Sequence, residues 1–140
     1  MKEKNYLFVC VENAGRSKMA EAFARHIGMN AKSAGTIPSS SVNSMVAQAM
    51  KERGIDLTDS RPVMLDDNLI NWADMVIIMG CSLQDACPAP VLAAMQKKIV
   101  DWNIPDPKGK TMDEVRSIRD TIEKKVLQLA GEVAQINRKK

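Results

Sequence analysis

The 140-residue sequence has few aromatic side chains, with two Phe, two Trp and one Tyr, and it contains a single His. These residues offer little for stacking on nucleic-acid bases, and the formal net charge of +3 is spread along the chain instead of forming a basic block. No His/Cys cluster has the spacing of metal ligands. We therefore expect no nucleic-acid partner, no metal site and no resident cofactor.

Long apolar runs are also absent. The N-terminal run from Tyr6 to Val11 is too short for a signal-peptide core or a membrane span. We therefore expect a cytoplasmic protein with no membrane partner, in a compartment where thiols stay reduced. Three cysteines, an odd number, fit reactive thiols better than a disulfide framework.

Residues 1–140 contain no repeat and no linker-like stretch, so the sequence predicts one α/β domain. The hydrophobic periodicity predicts strands at 6–11, 32–35, 75–79 and 98–102, and helices at 17–28, 42–53, 66–73 and 112 to about 136. Alternating strands and helices predict a three-layer sandwich, in which helices cover both faces of a central four-stranded parallel sheet. Ligands of such sheets bind at the carboxyl ends of strands, where we place Cys10 and Cys81.

The segment from Cys10 to Ser17 joins the first strand to the first helix and has the features of an anion-binding loop. Its backbone N–H groups can point at one anion beside the positive end of a helix, and the same field favours the thiolate form of Cys10. Arg16 can bind two oxygens of a tetrahedral oxyanion. Ser17 is expected to cap the helix and to donate to the sulfur, and Asn13 to adopt a left-handed backbone conformation and hold the loop. The predicted oxyanion-binding residues are Val11, Glu12, Asn13, Ala14, Gly15, Arg16 and Ser17.

This stretch resembles the phosphate-binding loop of the low-molecular-weight protein tyrosine phosphatases and of the arsenate reductases that share their fold. The resemblance covers essentially the whole chain in its order of elements. It implies that Cys10 attacks the oxyanion, that Arg16 binds it, and that Asp106 of an Asp-Pro loop supplies the acid. Asp101 is a lesser candidate for that acid.

Two positions depart from the family pattern. Glu12 and Gly15 stand where family loops usually carry a small residue and a second cysteine. A carboxylate inside an oxyanion cradle would be costly, so either Glu12 points outward or the loop is tuned differently.

Cys81 and Cys87 bear on the choice between two activities. Phosphate-ester hydrolysis needs only the first cysteine, whereas reduction of arsenate to arsenite consumes two electrons that further thiols must supply. The thioredoxin-coupled arsenate reductases resemble this arrangement, although their interval between the second and third cysteines is one residue longer. The resemblance implies a relay in which Cys10 is the nucleophile and Cys81 and Cys87 form the disulfide passed to a thioredoxin-like reductant. In one straight helix the Cα atoms of Cys81 and Cys87 would lie about 9 Å apart, so the segment must unwind for them to pair.

The sequence therefore predicts an arsenate reductase that binds arsenate or a phosphate-like oxyanion. The alternative is a low-molecular-weight phosphatase acting on phosphotyrosine or other phosphomonoesters. Lys108-Gly109 stands where family phosphatases tend to place aromatic residues, and this disfavours the alternative. A third possibility is a non-catalytic anion sensor, in which Cys10 would be dispensable.

Overall fold

A computed structural model of the protein describes residues 4–80 and 99–138. The strands are β1 (Asn5–Cys10), β2 (Asn30–Gly35), β3 (Met75–Ile78) and β4 (Ile99–Asp101). The helices are α1 (Arg16–His26), α2 (Ser44–Lys51), α3 (Asp67–Trp72) and α4 (Met112–Arg138). The ends of these elements lie within two residues of the sequence prediction.

The four strands form one parallel sheet in the order β2-β1-β3-β4. The predicted four-stranded parallel sheet is thus confirmed. β1 is a central strand, and its apolar residues are buried on both faces of the sheet because side chains alternate along a strand. Tyr6 and Phe8 point into one core, and Leu7 and Val9 point into the other.

Helices cover both faces of the sheet, as the sequence predicts. The larger core contains Phe8 of β1 together with Phe23 of α1, Met50 of α2 and Ile122 of α4. The smaller core joins β1 and β3 to Ile70 of α3. No helix among the described residues is long and apolar enough to cross a membrane.

The start of α1 differs from the expectation. Gly15 is its N-cap residue and no side chain caps the helix, so the prediction that Ser17 caps α1 is wrong. α1 begins at Arg16, and Ser17 therefore lies within the first turn with its hydroxyl fully buried. That hydroxyl instead contacts the sulfur of Cys10. An interaction between Ser17 and this sulfur is the other role that the sequence predicts for Ser17.

Ion pairs join α4 to the end of α2. Arg119 is buried and its Nη1 lies 2.7 Å from Glu52 Oε1, and Arg116 Nη2 lies 2.9 Å from Glu52 Oε2. Hydrogen bonds from Arg116, and then from Arg119, hold the pKa of the Glu52 carboxyl below its usual value. The contribution of this contact to stability therefore depends on pH.

Candidate active site

A cavity of about 650 Å³ opens at the carboxyl ends of β1 and β3. One side is formed by residues 10–12 and 14–16, here called the nucleophile loop. The other side is formed by residues 103–106 and 108, which belong to the segment between β4 and α4, here called the acid loop. Gly80, directly after β3, completes the lining. The carboxyl ends of the parallel strands β1, β3 and β4 lie at one edge of the sheet, and this brings the two loops together.

The sulfur of Cys10 is held by two polar groups. Its Sγ lies 2.8 Å from the hydroxyl of Ser17 and accepts a hydrogen bond of 3.1 Å from the backbone N–H of Asn13. Cys10 is only 3% exposed, although it lines the cavity. Donors aimed at a sulfur stabilise negative charge on it, so the geometry suits a thiolate nucleophile.

Asn13 fixes the shape of the nucleophile loop. Its backbone is left-handed, with a φ of 52°, and its side chain is fully buried. Its amide nitrogen donates to Ser17 Oγ at 2.7 Å, and its carbonyl oxygen accepts from the backbone N–H of Val63 at 2.8 Å. Asn13 and Ser17 do not line the cavity, so both act on the sulfur from the protein side.

Arg16 connects the two sides of the cavity. The guanidinium is almost buried, and its Nη1 donates to the backbone oxygens of Met79 at 2.9 Å and Ile104 at 2.8 Å. Its Nη2 lies 3.8 Å from Asp106 Oδ2. Because backbone oxygens accept from Nη1, the remaining N–H groups of the Arg16 guanidinium are the ones that can donate to a bound oxyanion.

The acid loop passes very close to the end of β3. Gly80 has a φ of 85°, and a Cβ built there would lie 2.7 Å from the backbone nitrogen of Ile104. A side chain at this position would therefore displace the loop backbone. The absence of a side chain at Gly80 allows the carbonyl of Ile104 to reach Arg16.

Asp106 lies at the cavity with 56% of its side chain exposed. Its Oδ1 accepts a hydrogen bond of 3.0 Å from the backbone N–H of Lys108. Trp102 at the start of the loop packs on Phe8 with ring centroids 5.6 Å apart, which anchors the loop on the larger core. Asp101 accepts from the backbone N–H of Asn103 at 2.8 Å and does not line the cavity.

Glu12 and Gly15, the two departures from the family pattern, both meet the acid loop. Glu12 points outward: its Oε1 lies 3.0 Å from Lys108 Nζ, and 41% of its side chain is exposed. A Cβ at Gly15 would lie 2.9 Å from Cγ of Pro107, so Gly15 allows the proline ring to pack on the nucleophile loop. Both residues that depart from the family pattern therefore lie against the acid loop, Glu12 beside Lys108 and Gly15 beside Pro107.

The structure brings Cys10, Arg16 and Asp106 together around one cavity. Cys81 and Cys87 lie outside the described residues, so their predicted places in the site are not described. Lys108 is the residue that sequence reasoning did not assign to the site. Its position directly after Asp106-Pro107 is the only local signal, because its partner Glu12 is 96 residues away. Within residues 4–80 and 99–131 no group of three or more His, Cys, Asp or Glu side chains could hold a metal ion.

The sequence pattern of the low molecular weight phosphotyrosine protein phosphatases matches residues 5–140. The chain belongs to this family. Among curated relatives, the arsenate reductase of Staphylococcus xylosus is 34% identical over 125 residues, covering 87% of this chain and 92% of the relative.

Two solved structures superpose on the chain over most of its length. The YwlE arginine phosphatase of Geobacillus stearothermophilus has a TM-score of 0.86 at 27% identity and covers 97% of this chain and 96% of its own. A thioredoxin-dependent arsenate reductase of Corynebacterium glutamicum has a TM-score of 0.74 at 32% identity and covers 95% of this chain and 63% of its own. Members of the same fold family therefore carry two different activities in their names.

Proposed function

We propose that this protein is an arsenate reductase that uses Cys10 as its nucleophile. One observation supports the proposal above all others: the Cys10 sulfur, the Arg16 guanidinium and the Asp106 carboxyl meet at one cavity. This set supplies a nucleophile, an anion-binding cation and an acid for one tetrahedral oxyanion. Of the residues predicted to supply backbone donors, Val11, Glu12, Ala14, Gly15 and Arg16 line the same cavity, and Asn13 and Ser17 do not.

The choice of arsenate as the substrate rests on two further points. The sequence contains Cys81 and Cys87, and a redox reaction needs thiols that hydrolysis does not use. The relatives from Staphylococcus xylosus and Corynebacterium glutamicum are named as arsenate reductases, the latter as thioredoxin-dependent. A thioredoxin-like dithiol is accordingly the proposed reductant.

The proposed reaction begins when the Cys10 thiolate attacks arsenic and forms a sulfur–arsenic bond. Asp106 gives its proton to the departing oxygen, which leaves as water, and arsenic keeps the +5 oxidation state. The Cys81 thiolate then attacks the Cys10 sulfur, the sulfur–arsenic bond breaks, and its electron pair leaves with arsenic as arsenite. The Cys87 thiolate attacks Cys81 and releases Cys10 as a thiolate. The external dithiol finally reduces the Cys81–Cys87 disulfide.

The test is arsenite production with a thioredoxin system on wild type and single variants. We expect Cys10→Ser and Cys87→Ser to lose multiple turnovers. Asp106→Asn should slow the reaction about 100-fold or more, since positioned acids contribute factors of that size. Asp101→Asn is the matched control, because Asp101 has the same chemistry but lies off the cavity. Full turnover by Cys87→Ser would contradict the relay.

The second candidate function is phosphatase activity, which the close superposition on an arginine phosphatase favours. Hydrolysis needs Cys10, Arg16 and Asp106 but neither of the other cysteines. A phosphate ester or a phosphorylated arginine hydrolysed by wild type and by Cys87→Ser, and not by Cys10→Ser, would support this candidate over the reductase. If the protein binds an anion without turnover, and Cys10→Ser does not change this binding, the result would support the non-catalytic anion sensor.

A further inference from the structure

An ion pair joins the two loops that form the cavity. Lys108 Nζ of the acid loop lies 3.0 Å from Glu12 Oε1 of the nucleophile loop. The two side chains are 69% and 41% exposed, whereas Cys10 and Arg16 below them are buried. Both members of the pair line the cavity, so the pair lies at its outer rim.

We propose that Glu12 is a positioning residue, which holds the acid loop through Lys108 and leaves the rim of the anion site without net charge. The inference rests on the role of Asp106 given above. It assigns a task to a carboxylate that the mechanism otherwise does not use. It also gives a reason for an acidic residue in a loop that binds anions.

The position of Lys108 is linked directly to the acid. The backbone N–H of Lys108 donates to Asp106 Oδ1 at 3.0 Å, so a displacement of Lys108 also moves the carboxyl group. Asp106 belongs to no helix or strand and is more than half exposed. Its orientation therefore depends on contacts between the loops, which in the described part of the chain include the Glu12–Lys108 pair at the rim and the approach of Arg16 to Asp106.

The pair also sets the charge at the rim of the cavity. A carboxylate at the rim of an anion cavity repels the ligand, and a lysine ammonium 3.0 Å away cancels that effect. Glu12→Gln would leave the ammonium of Lys108 free to attract the anion. Lys108→Met would leave the carboxylate of Glu12 free to repel it. The two single variants should therefore change anion affinity in opposite directions.

The first experiment measures binding of inorganic phosphate by calorimetry at low ionic strength. We expect the Kd to fall about three- to tenfold in Glu12→Gln and to rise about three- to tenfold in Lys108→Met, with both changes shrinking in high salt. The charge-reversed double variant Glu12→Lys/Lys108→Glu should return the Kd close to the wild-type value. Lys110→Met is the matched control, since Lys110 does not line the cavity and forms no ion pair in the described part of the chain.

The second experiment measures the single-turnover rate at saturating arsenate, which reports on the first chemical step. Glu12→Gln should slow this step about tenfold although the anion binds more tightly, because the acid is less well placed. The charge-reversed double variant should recover most of the rate. Circular dichroism and thermal unfolding check that each variant is folded, and Glu12→Ala removes the same charge if Glu12→Gln does not fold.

Unchanged phosphate affinity in both single variants, or a shift in the same direction, overturns the proposal. A wild-type single-turnover rate in Glu12→Gln overturns the positioning role. If wild-type protein does not reduce arsenate at all, the proposed function fails, and the opposite shifts in phosphate affinity still decide whether the pair balances charge at the anion site.

Discussion

Replacing Asn13 by Ala removes the residue that shapes the nucleophile loop. Alanine at a φ of 52° pays a conformational penalty of about 1 kcal/mol that asparagine largely avoids. The variant also loses the hydrogen bonds to Ser17 Oγ and from Val63 N, each worth about 1 kcal/mol. We therefore expect the free energy of unfolding to fall by about 3 kcal/mol.

Urea denaturation followed by circular dichroism measures this change, and two further variants separate its parts. Asn13→Gly loses the same hydrogen bonds but tolerates the left-handed backbone, so it should lose less stability than Asn13→Ala. Asn43→Ala is the matched control. Asn43 has a φ of −58° and caps α2 by accepting from Met45 N and Val46 N, so its loss should cost about 1 kcal/mol.

Activity provides the second comparison. In Asn13→Ala the Ser17 hydroxyl loses the amide that orients it toward the Cys10 sulfur, and the loop that presents Cys10 loosens. Turnover should therefore fall about 100-fold, as misplacement of a nucleophile by about 1 Å does. Asn43→Ala should retain full activity. Equal losses of stability in Asn13→Ala and Asn43→Ala, or full activity in Asn13→Ala, would refute the reasoning.

Two further predictions follow from contacts elsewhere in the chain. Gly15→Ala places a methyl group 2.9 Å from Cγ of Pro107, so the acid loop must shift. The single-turnover rate should therefore fall at least about tenfold. Gly131→Ala is the control and should keep the full rate, because nothing lies within 4 Å of a Cβ at that position. Glu52→Gln should lower the Tm at neutral pH. Because Arg116 depresses the pKa of Glu52 below 4.5, the carboxylate stabilises the fold above that pH, and the benefit disappears as the pH falls through the lower, folded-state pKa. The Tm curves of wild type and Glu52→Gln should converge in acid; a gap that stays constant would show that the charge is not responsible.

Much of the fold could be predicted because it depends on local patterns. β1 is uninterrupted in its apolar character since both of its faces are buried, and Leu7 and Phe8 accordingly enter different cores. The alternation of strands and helices predicts a parallel sheet, and parallel strands bring their carboxyl ends to one edge. Cys10 and Cys81 are therefore expected at the same edge, whereas the place of Asp106 beside Cys10 is implied only by the resemblance to the family.

Other features could not be predicted, because they depend on atoms far apart in the chain. Ser17 has the residue type of a helix cap, yet its hydroxyl is used by the sulfur of Cys10 and α1 has no side-chain cap. The competition between two hydrogen-bond partners is settled by the tertiary fold. Likewise, nothing local shows that one nitrogen of Arg16 is engaged by the carbonyls of Met79 and Ile104.

The sequence by itself predicted the class of fold and indicated Cys10 as the candidate nucleophile, because residue types at short spacing carry that information, and the resemblance to a family added Asp106 as the candidate acid. Only the tertiary structure decided what Glu12 and Gly15 do. As sequence, they are departures from a family pattern. In the fold, Glu12 meets Lys108 and Gly15 meets Pro107, because the strands place the two loops side by side. Contacts between segments almost a hundred residues apart follow from three-dimensional packing, which no local pattern encodes.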